Sequence, residues 1–265
     1  MDGGFVDIHC HMLPGIDDGA GDWHESLEMA RMAVADGTRT VIVTPHQLGN
    51  FANNRGDEIR QLTQQLQEVL REYDVPLEVL PGADVRIEDG MLQKLASGEV
   101  LSLGDLGGHV LLELPHELYF PLEGILDALS RQGLIGVLSH PERNRGILRD
   151  CEILGPLVDA GCLMQVTAGS LMGTFGPASQ RLSEWMLAEG LVHFVATDAH
   201  GVRSRRPLMR RAFDRVAELT DEQAAVDLCS KHPGLVATNQ RVPSGRRTAK
   251  KRGGWKKMFS GRAAG

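Results

Sequence analysis

Six apolar runs of this sequence end on a histidine or a carboxylate. Val6-Asp7-Ile8 leads into His9-Cys10-His11, Thr44-Pro45 into His46, Gly82-Ala83 into Asp84, and Leu112 into Glu113. Ser139 is followed by His140, and Thr197 by Asp198-Ala199-His200. A strand has a side-chain period of two, so His9 and His11 should share a face with Cys10 opposite. Two imidazoles one pleat apart can grip a single cation. Asp198-x-His200 repeats that arrangement with a carboxylate. Imidazole mixed with carboxylate suits Mn²⁺, Fe²⁺ or Zn²⁺, and the many oxygen donors favour Mn²⁺ or Fe²⁺. Either pair alone is a weak signal; both pairs together with His46, His140, Asp84 and Glu113 make a strong one. The other histidines (His24, His109, His116, His193, His232) fit no ligand spacing and are read as surface or loop residues.

Cysteine chemistry is disfavoured. Cys10, Cys151, Cys162 and Cys229 form no CxxC pair and are read as reduced, mostly buried thiols. A thiolate phosphatase loop would need arginine six positions after Cys10, where Ile16 stands.

To meet in space, these scattered residues need a scaffold that gathers strand ends. β-rich runs cover residues 5–8, 40–44, 77–80, 110–113, 135–138, 163–166 and 194–197. Most are continuously apolar, as parallel strands covered by helices are. Amphipathic stretches lie between them: 23–35, 57–73, 122–131 and 180–188, with Gly37, Gly133 and Gly190 as stops. The alternation predicts an α/β fold with a parallel sheet. Seven strands suit a closed or partly closed barrel, with an open doubly wound sheet as the alternative. In either, the C-terminal strand ends share one surface, where ligands bind.

The 265 residues suffice for one large domain, expected over 1–243. No run approaches the roughly 18 apolar residues of a membrane helix, and the N-terminus lacks signal-peptide character, so a cytoplasmic location is expected. The net charge of −7 hides a segregation: residues 244–265 carry eight Lys and Arg and no acid, leaving a body near −15. An acidic body argues against nucleic-acid binding. Residues 244–265 are read as a basic, flexible tail whose Trp255, Met258 and Phe259 would suit peripheral contact with an anionic membrane surface.

The block Asp7-Ile8-His9-Cys10-His11-Met12-Leu13-Pro14-Gly15-Ile16-Asp17-Asp18-Gly19-Ala20 resembles the opening motif of the PHP (polymerase and histidinol phosphatase) superfamily. More narrowly, the chain resembles the bacterial manganese-dependent tyrosine-protein phosphatases of capsule and exopolysaccharide loci. The similarity continues through Thr44-Pro45-His46, residues 82–87, 139–143 and 165–171, and 196–200 with the arginines that follow. It implies a distorted seven-stranded (β/α) barrel of the PHP type and a trinuclear Mn²⁺ site, with Fe²⁺ or Zn²⁺ as alternatives. One ion would take His9, His11, Asp84 and Asp198; a second Asp84, Glu113 and His140; a third Asp18, His46 and His200. The bridging position is usually Glu in such relatives and is Asp84 here, one methylene shorter. Spacing alone separates neither Asp17 from Asp18 nor Arg205 from Arg206.

The resemblance further implies that Arg143 and Arg205 face a phosphate, a task the planar guanidinium fork suits. Clustered cations can acidify a water and clamp the attacked and leaving oxygens. A phenolate leaving group, of pKa about 10, depends little on a general acid, so no proton donor is assigned. The expected substrate is a phosphotyrosine protein, a membrane-associated tyrosine autokinase. Another PHP phosphoesterase such as a histidinol-phosphate phosphatase, a nuclease, a non-catalytic PHP-fold protein and an amidohydrolase-type barrel are the rival readings. Substrate panels and metal content would separate them.

Overall fold

The computed structural model describes residues 4–247. Nine strands run through them: β1 (Phe5–Cys10), β2 (Thr38–Val43), β3 (His46–Gln47), β4 (Glu78–Pro81), β5 (Asp84–Arg86), β6 (His109–Glu113), β7 (Ile135–Ser139), β8 (Leu163–Thr167) and β9 (Phe194–Ala196). They form two sheets, in the orders β1-β2-β4 and β3-β5-β6-β7-β8-β9, with every pairing parallel. The parallel α/β reading therefore holds.

Seven expected runs become nine strands because the second and third are each followed, after a break, by a short strand outside the run. Between β2 and β3 stands Pro45, which has no N–H for a ladder; its carbonyl instead accepts the Asp84 N–H at 3.2 Å. Between β4 and β5 lies Gly82, where an added Cβ would come within 2.7 Å of Ile42 Cγ2, so the strands approach too closely for a side chain. Beyond each break the chain enters the second sheet carrying His46 or Asp84. The outer sheet edges also meet: Asp198 N–H donates to His9 O at 2.7 Å and His11 N–H to Ala199 O at 2.8 Å.

Alternation along the strands divides the core. Ile8, Ile42, Leu111, Val137, Leu163 and Phe194, one from each of six strands, pack together with Leu103, Val236 and Val242. Val41, Val43, Leu112, Leu138, Val166 and Val195 belong instead to a larger cluster with helix residues such as Met29, Leu66, Leu129 and Met186. Fully burying each such side chain contributes about 1.5–3 kcal/mol. The helices Trp23–Asp36, Gly56–Glu72, Glu123–Arg131 and Gly176–Ala188 match the four amphipathic stretches to within four residues at their ends. Asp22 caps the first by accepting the Glu25 N–H.

Residues 244–247, the first four of the segment read as a tail, are fixed to the body. Gly245 O lies 3.1 Å from His193 Nε2, Arg247 N–H donates to Gly190 O, and Arg246 forks onto Asp159 at 2.9 and 3.1 Å. Residues 248–265, with the aromatic part of that expectation, lie outside the described residues.

Candidate metal centre

β1 is irregular between Asp7 and Cys10, yet it delivers His9 and His11 together. Their Nε2 atoms lie 3.2 Å apart, while Cys10 packs in the apolar core. Each ring has committed its other nitrogen. His9 Nδ1 lies 2.9 Å from Gln165 Oε1 and His11 Nδ1 2.7 Å from Asp17 Oδ2. His200 Nδ1 lies 3.0 Å from the carbonyl of Asp198. With all three Nδ1–H groups donated to oxygen, the Nε2 lone pairs remain for ligation.

The carboxylates close the cluster. Asp84 Oδ2 lies 3.4 Å from His46 Nδ1, 3.6 Å from His9 Nε2 and 3.9 Å from His140 Nε2. Asp18 Oδ1 is 3.4 Å from both His46 Nε2 and His200 Nε2. Four overlapping sets have their donor atoms within 4.8 Å of one another: His11/Asp18/His46/His200, His9/His11/Asp84, His9/His140/Asp198 and His46/Asp84/Glu113. All nine residues expected as ligands thus gather at one rim. The grouping differs from the expected partition in four places: His140 sits with His9 and Asp198 rather than with Glu113, Asp198 leaves the His9/His11/Asp84 set, His46 also joins Asp84 and Glu113, and His11 also reaches the Asp18 set.

Two observations fit these residues to divalent cations. Both oxygens of fully buried Asp84 and Nε2 of His200 have no hydrogen-bond partner among the described residues. Such orphans are costly unless something absent completes them. The donors are also imidazole nitrogens and carboxylate oxygens, a hard-to-borderline set.

The electrostatics agree. Burial would raise Asp84 and Asp198, but the surrounding imidazoles hold both below the ordinary carboxylate range, with Arg205 adding to the effect at Asp198. The imidazoles of His200 and His46, each 3.4 Å from Asp18 Oδ1, hold Asp18 below the ordinary carboxylate range. Glu113 is pushed up to about 7 by burial and the neighbouring Asp84 charge. Burial opposes protonation of His11 and His46, yet Asp17 raises the first to about 9 and Asp18 with Asp84 the second to about 11. Burial lowers His9, His140 and His200, the last to about 4. A site this rich in opposing charges has strongly split protonation states, as functional sites do.

The rim opens into a cavity of about 220 Å³ lined by Asp18, His46, Glu113, His140, Asp198, Arg143 and Arg205, and also by Leu114, His116, Ser139 and Asn144. Arg143 and Arg205 both pair with Asp198 Oδ2, Arg205 at 2.6 Å. Arg206 is exposed and does not line the cavity. Asp17 is likewise separated from Asp18: it orients His11 and accepts the His46 N–H at 3.0 Å, while Asp18 faces the two imidazoles.

Sequence reasoning passed over several parts of this site. Gln165, and Asp17, which spacing offers only as the alternative to Asp18 as a ligand, act through the histidines, and a lone polar residue carries no spacing signal for that role. Buried Glu142 ties the 141–143 turn to the next strand end, accepting Thr167 N–H and Ser170 Oγ–H. Backbone strain was also invisible: His140, Asp198 and Arg205 all have positive φ (33°, 51° and 48°), a costly conformation that concentrates at functional sites. Three histidines read as surface or loop residues are buried instead. His109 opens β6, and His193 and His232 are linked through His232 Nδ1 to the His193 carbonyl.

Comparison with known proteins places this arrangement among relatives. The profile of a family described as "Capsular polysaccharide synthesis, CpsB/CapC" matches residues 5–237. Tyrosine-protein phosphatase YwqE of Bacillus subtilis is 43% identical over 202 residues, 76% of this chain and 79% of that protein. The putative tyrosine-protein phosphatase CapC of Staphylococcus aureus is 30% identical over 239 residues, 89% of this chain and 92% of its own. A crystal structure from work on YwqE and on CpsB of Streptococcus pneumoniae, described as unique metal-dependent tyrosine phosphatases, superposes with a TM-score of 0.87. It shares 38% identity and covers 93% of this chain and 100% of that one. Molinate hydrolase, 11% identical with a TM-score of 0.55 and covering 92% of this chain and 76% of its own, shares the fold alone.

Proposed function

The chain belongs to the CpsB/CapC capsular polysaccharide synthesis family, and from that premise we propose that it is a metal-dependent protein-tyrosine phosphatase. The observation that carries the reading is the facing pair His9 and His11, whose Nε2 atoms converge 3.2 Å apart beside the orphaned Asp84 carboxylate, with two arginines at the same cavity. We assign His9, His11, Asp18, His46, Asp84, Glu113, His140, Asp198 and His200 as the ligands of three Mn²⁺ ions. When bound, such ions acidify water and neutralise phosphate charge.

The chain's own groups do the rest. Gln165 and Asp17 hold the His9 and His11 tautomers, so these rings present Nε2 without rearrangement. Arg143 and Arg205 offer fixed N–H forks to the non-bridging phosphate oxygens, where negative charge must be balanced as the ester bond lengthens. Asn144 frames the cavity by donating to Pro115 O and Leu118 O and accepting from Ile147 N–H.

In the same reading the substrate is a phosphotyrosine protein, a membrane-associated tyrosine autokinase of capsule or exopolysaccharide synthesis. The enzyme works in the cytoplasm, with the basic tail resting on the inner membrane surface. The two sheets are read as one distorted seven-stranded barrel, its seam at the His9–Asp198 and His11–Ala199 bonds.

Phosphate release from a phosphotyrosine peptide, beside histidinol phosphate, is the direct test. The peptide should be hydrolysed with Mn²⁺ and spared after chelation. Equal turnover in metal-free protein overturns the metal reading, and preference for histidinol phosphate overturns the substrate. Liposome co-sedimentation with and without residues 244–265 tests the tail; equal binding removes its membrane role.

A further inference from the structure

Phe175 lies between the helices Ala168–Leu171 and Gly176–Ala188, in a loop that supplies none of the candidate ligands. Its ring nevertheless meets both arginines of the cavity, with Arg143 Cζ 4.2 Å and Arg205 Cζ 5.8 Å from its centroid. We propose that Phe175 is a positioning residue, a π platform that holds the two guanidinium groups together for one phosphoryl group. The proposal rests on the phosphatase reading only in naming phosphate as the ligand.

Two like charges converging on one anion repel one another, and here Asp198 Oδ2 is their shared partner. In the proposed centre Asp198 also serves a cation, so it cannot neutralise both arginines. A further carboxylate there would hold the arginines tightly and compete with substrate for their N–H groups. An aromatic face attracts a cation through its quadrupole without accepting those hydrogens, and leaves the forks free.

The ring is built in rather than merely adjacent. A Cβ on Gly169 would fall 3.0 Å from Phe175 Cε2, so the ring edge rests against glycine backbone. Thr174 N–H donates to Gly169 O at 2.9 Å and Gly173 N–H to Ser170 O at 3.0 Å, which fixes the loop. Ser170 Oγ–H donates to buried Glu142 at 2.6 Å, the residue before Arg143. Platform and guanidinium are therefore tied through one buried link.

The test is calorimetric titration of inorganic phosphate into Mn²⁺-loaded full-length protein, with metal content and circular dichroism beside it. Phe175→Leu keeps apolar bulk but removes the π face, and should weaken phosphate binding about tenfold with metal content unchanged. Phe175→Tyr should stay within about twofold, because it keeps the face. In Arg143→Ala protein the Phe175→Leu change should cost much less than in wild type. With p-nitrophenyl phosphate, KM should rise more than kcat falls. Wild-type phosphate affinity in Phe175→Leu, equal damage in Phe175→Tyr, or loss of metal with the leucine overturns the proposal. Should the variant unfold, Gly169→Ala, which crowds the ring, gives the same readout. Absence of turnover in wild type would sink the phosphatase reading while leaving the binding comparison decisive.

Discussion

His11 Nδ1 and Asp17 Oδ2 stand 2.7 Å apart, and the same oxygen accepts the backbone N–H of His46 at 3.0 Å. Asp17 thus sets two rings of the centre without facing it. Asp17→Asn replaces the anion behind His11 by a neutral amide and should lower Mn²⁺ affinity about 10–100-fold with the fold intact. Asp18→Asn removes a proposed ligand and should lose its ion outright. Calorimetric Mn²⁺ titration separates the two; identical binding curves for Asp17→Asn and wild type would dismiss the orienting role.

Metal removal should act on stability as well as on activity. Asp84 keeps two buried oxygens without hydrogen-bond partners, so cations that bind only the folded chain should stabilise it. At an ion concentration of 100 times Kd the gain is about 2.7 kcal/mol per site. Thermal melts with Mn²⁺ and with chelator should therefore differ by several degrees. His9→Ala should shrink that difference by about one site's share and abolish phosphotyrosine hydrolysis. A full Mn²⁺-dependent shift in the variant would contradict its place among the ligands.

Arg143→Ala should reduce kcat/KM for a phosphotyrosine peptide by about 10–100-fold, because a hydrogen bond to a charged group contributes roughly 1.5–3 kcal/mol. Arg143→Lys should recover only part, since an ammonium cannot fork. Arg206→Ala, altering an exposed side chain outside the cavity, should stay near wild type. Steady-state kinetics on the three variants decides; a stronger defect in Arg206→Ala than in Arg143→Ala would reverse the assignment.

What could be read from the residues followed from periodicity. Apolar runs located seven of the nine strands, missing the two short ones His46–Gln47 and Asp84–Arg86, and the ends of those runs located His9, His11, His46, Asp84, Glu113, His140, Asp198 and His200. Asp18 entered through the motif resemblance alone. β3 and β5 were hidden because, at two and three residues beyond Pro45 and Gly82, they are too short to show a period. Gln165 and Phe175 were hidden for a different reason: each acts through a residue distant in sequence, and pairings of that kind have no period. The buried histidines escaped because one ring on an apolar strand, or on a short helix, carries no sign of its hydrogen-bond partner.

One of those histidines predicts acid sensitivity away from the metal centre. Met164 N–H donates to His193 Nδ1 at 3.1 Å, so the ring hydrogen sits on Nε2, facing Gly245 O at 3.1 Å. A second proton would point at an N–H group, and burial pushes the imidazole down to about 4. The unfolded chain takes up that proton near pH 6.5. Between pH 6.5 and 4 the unfolded state then holds more protons, and stability falls as pH falls, by up to about 1.4 kcal/mol per unit. Burial places His109 at about 4 as well, with the same sign. Urea unfolding in chelator at pH 7 and pH 5 should show His193→Gln less stable than wild type at pH 7. Its loss on acidification should be smaller by about 2 kcal/mol. Parallel losses in the two proteins would mean that the ring takes up its proton in the folded state over the same pH range as in the unfolded chain.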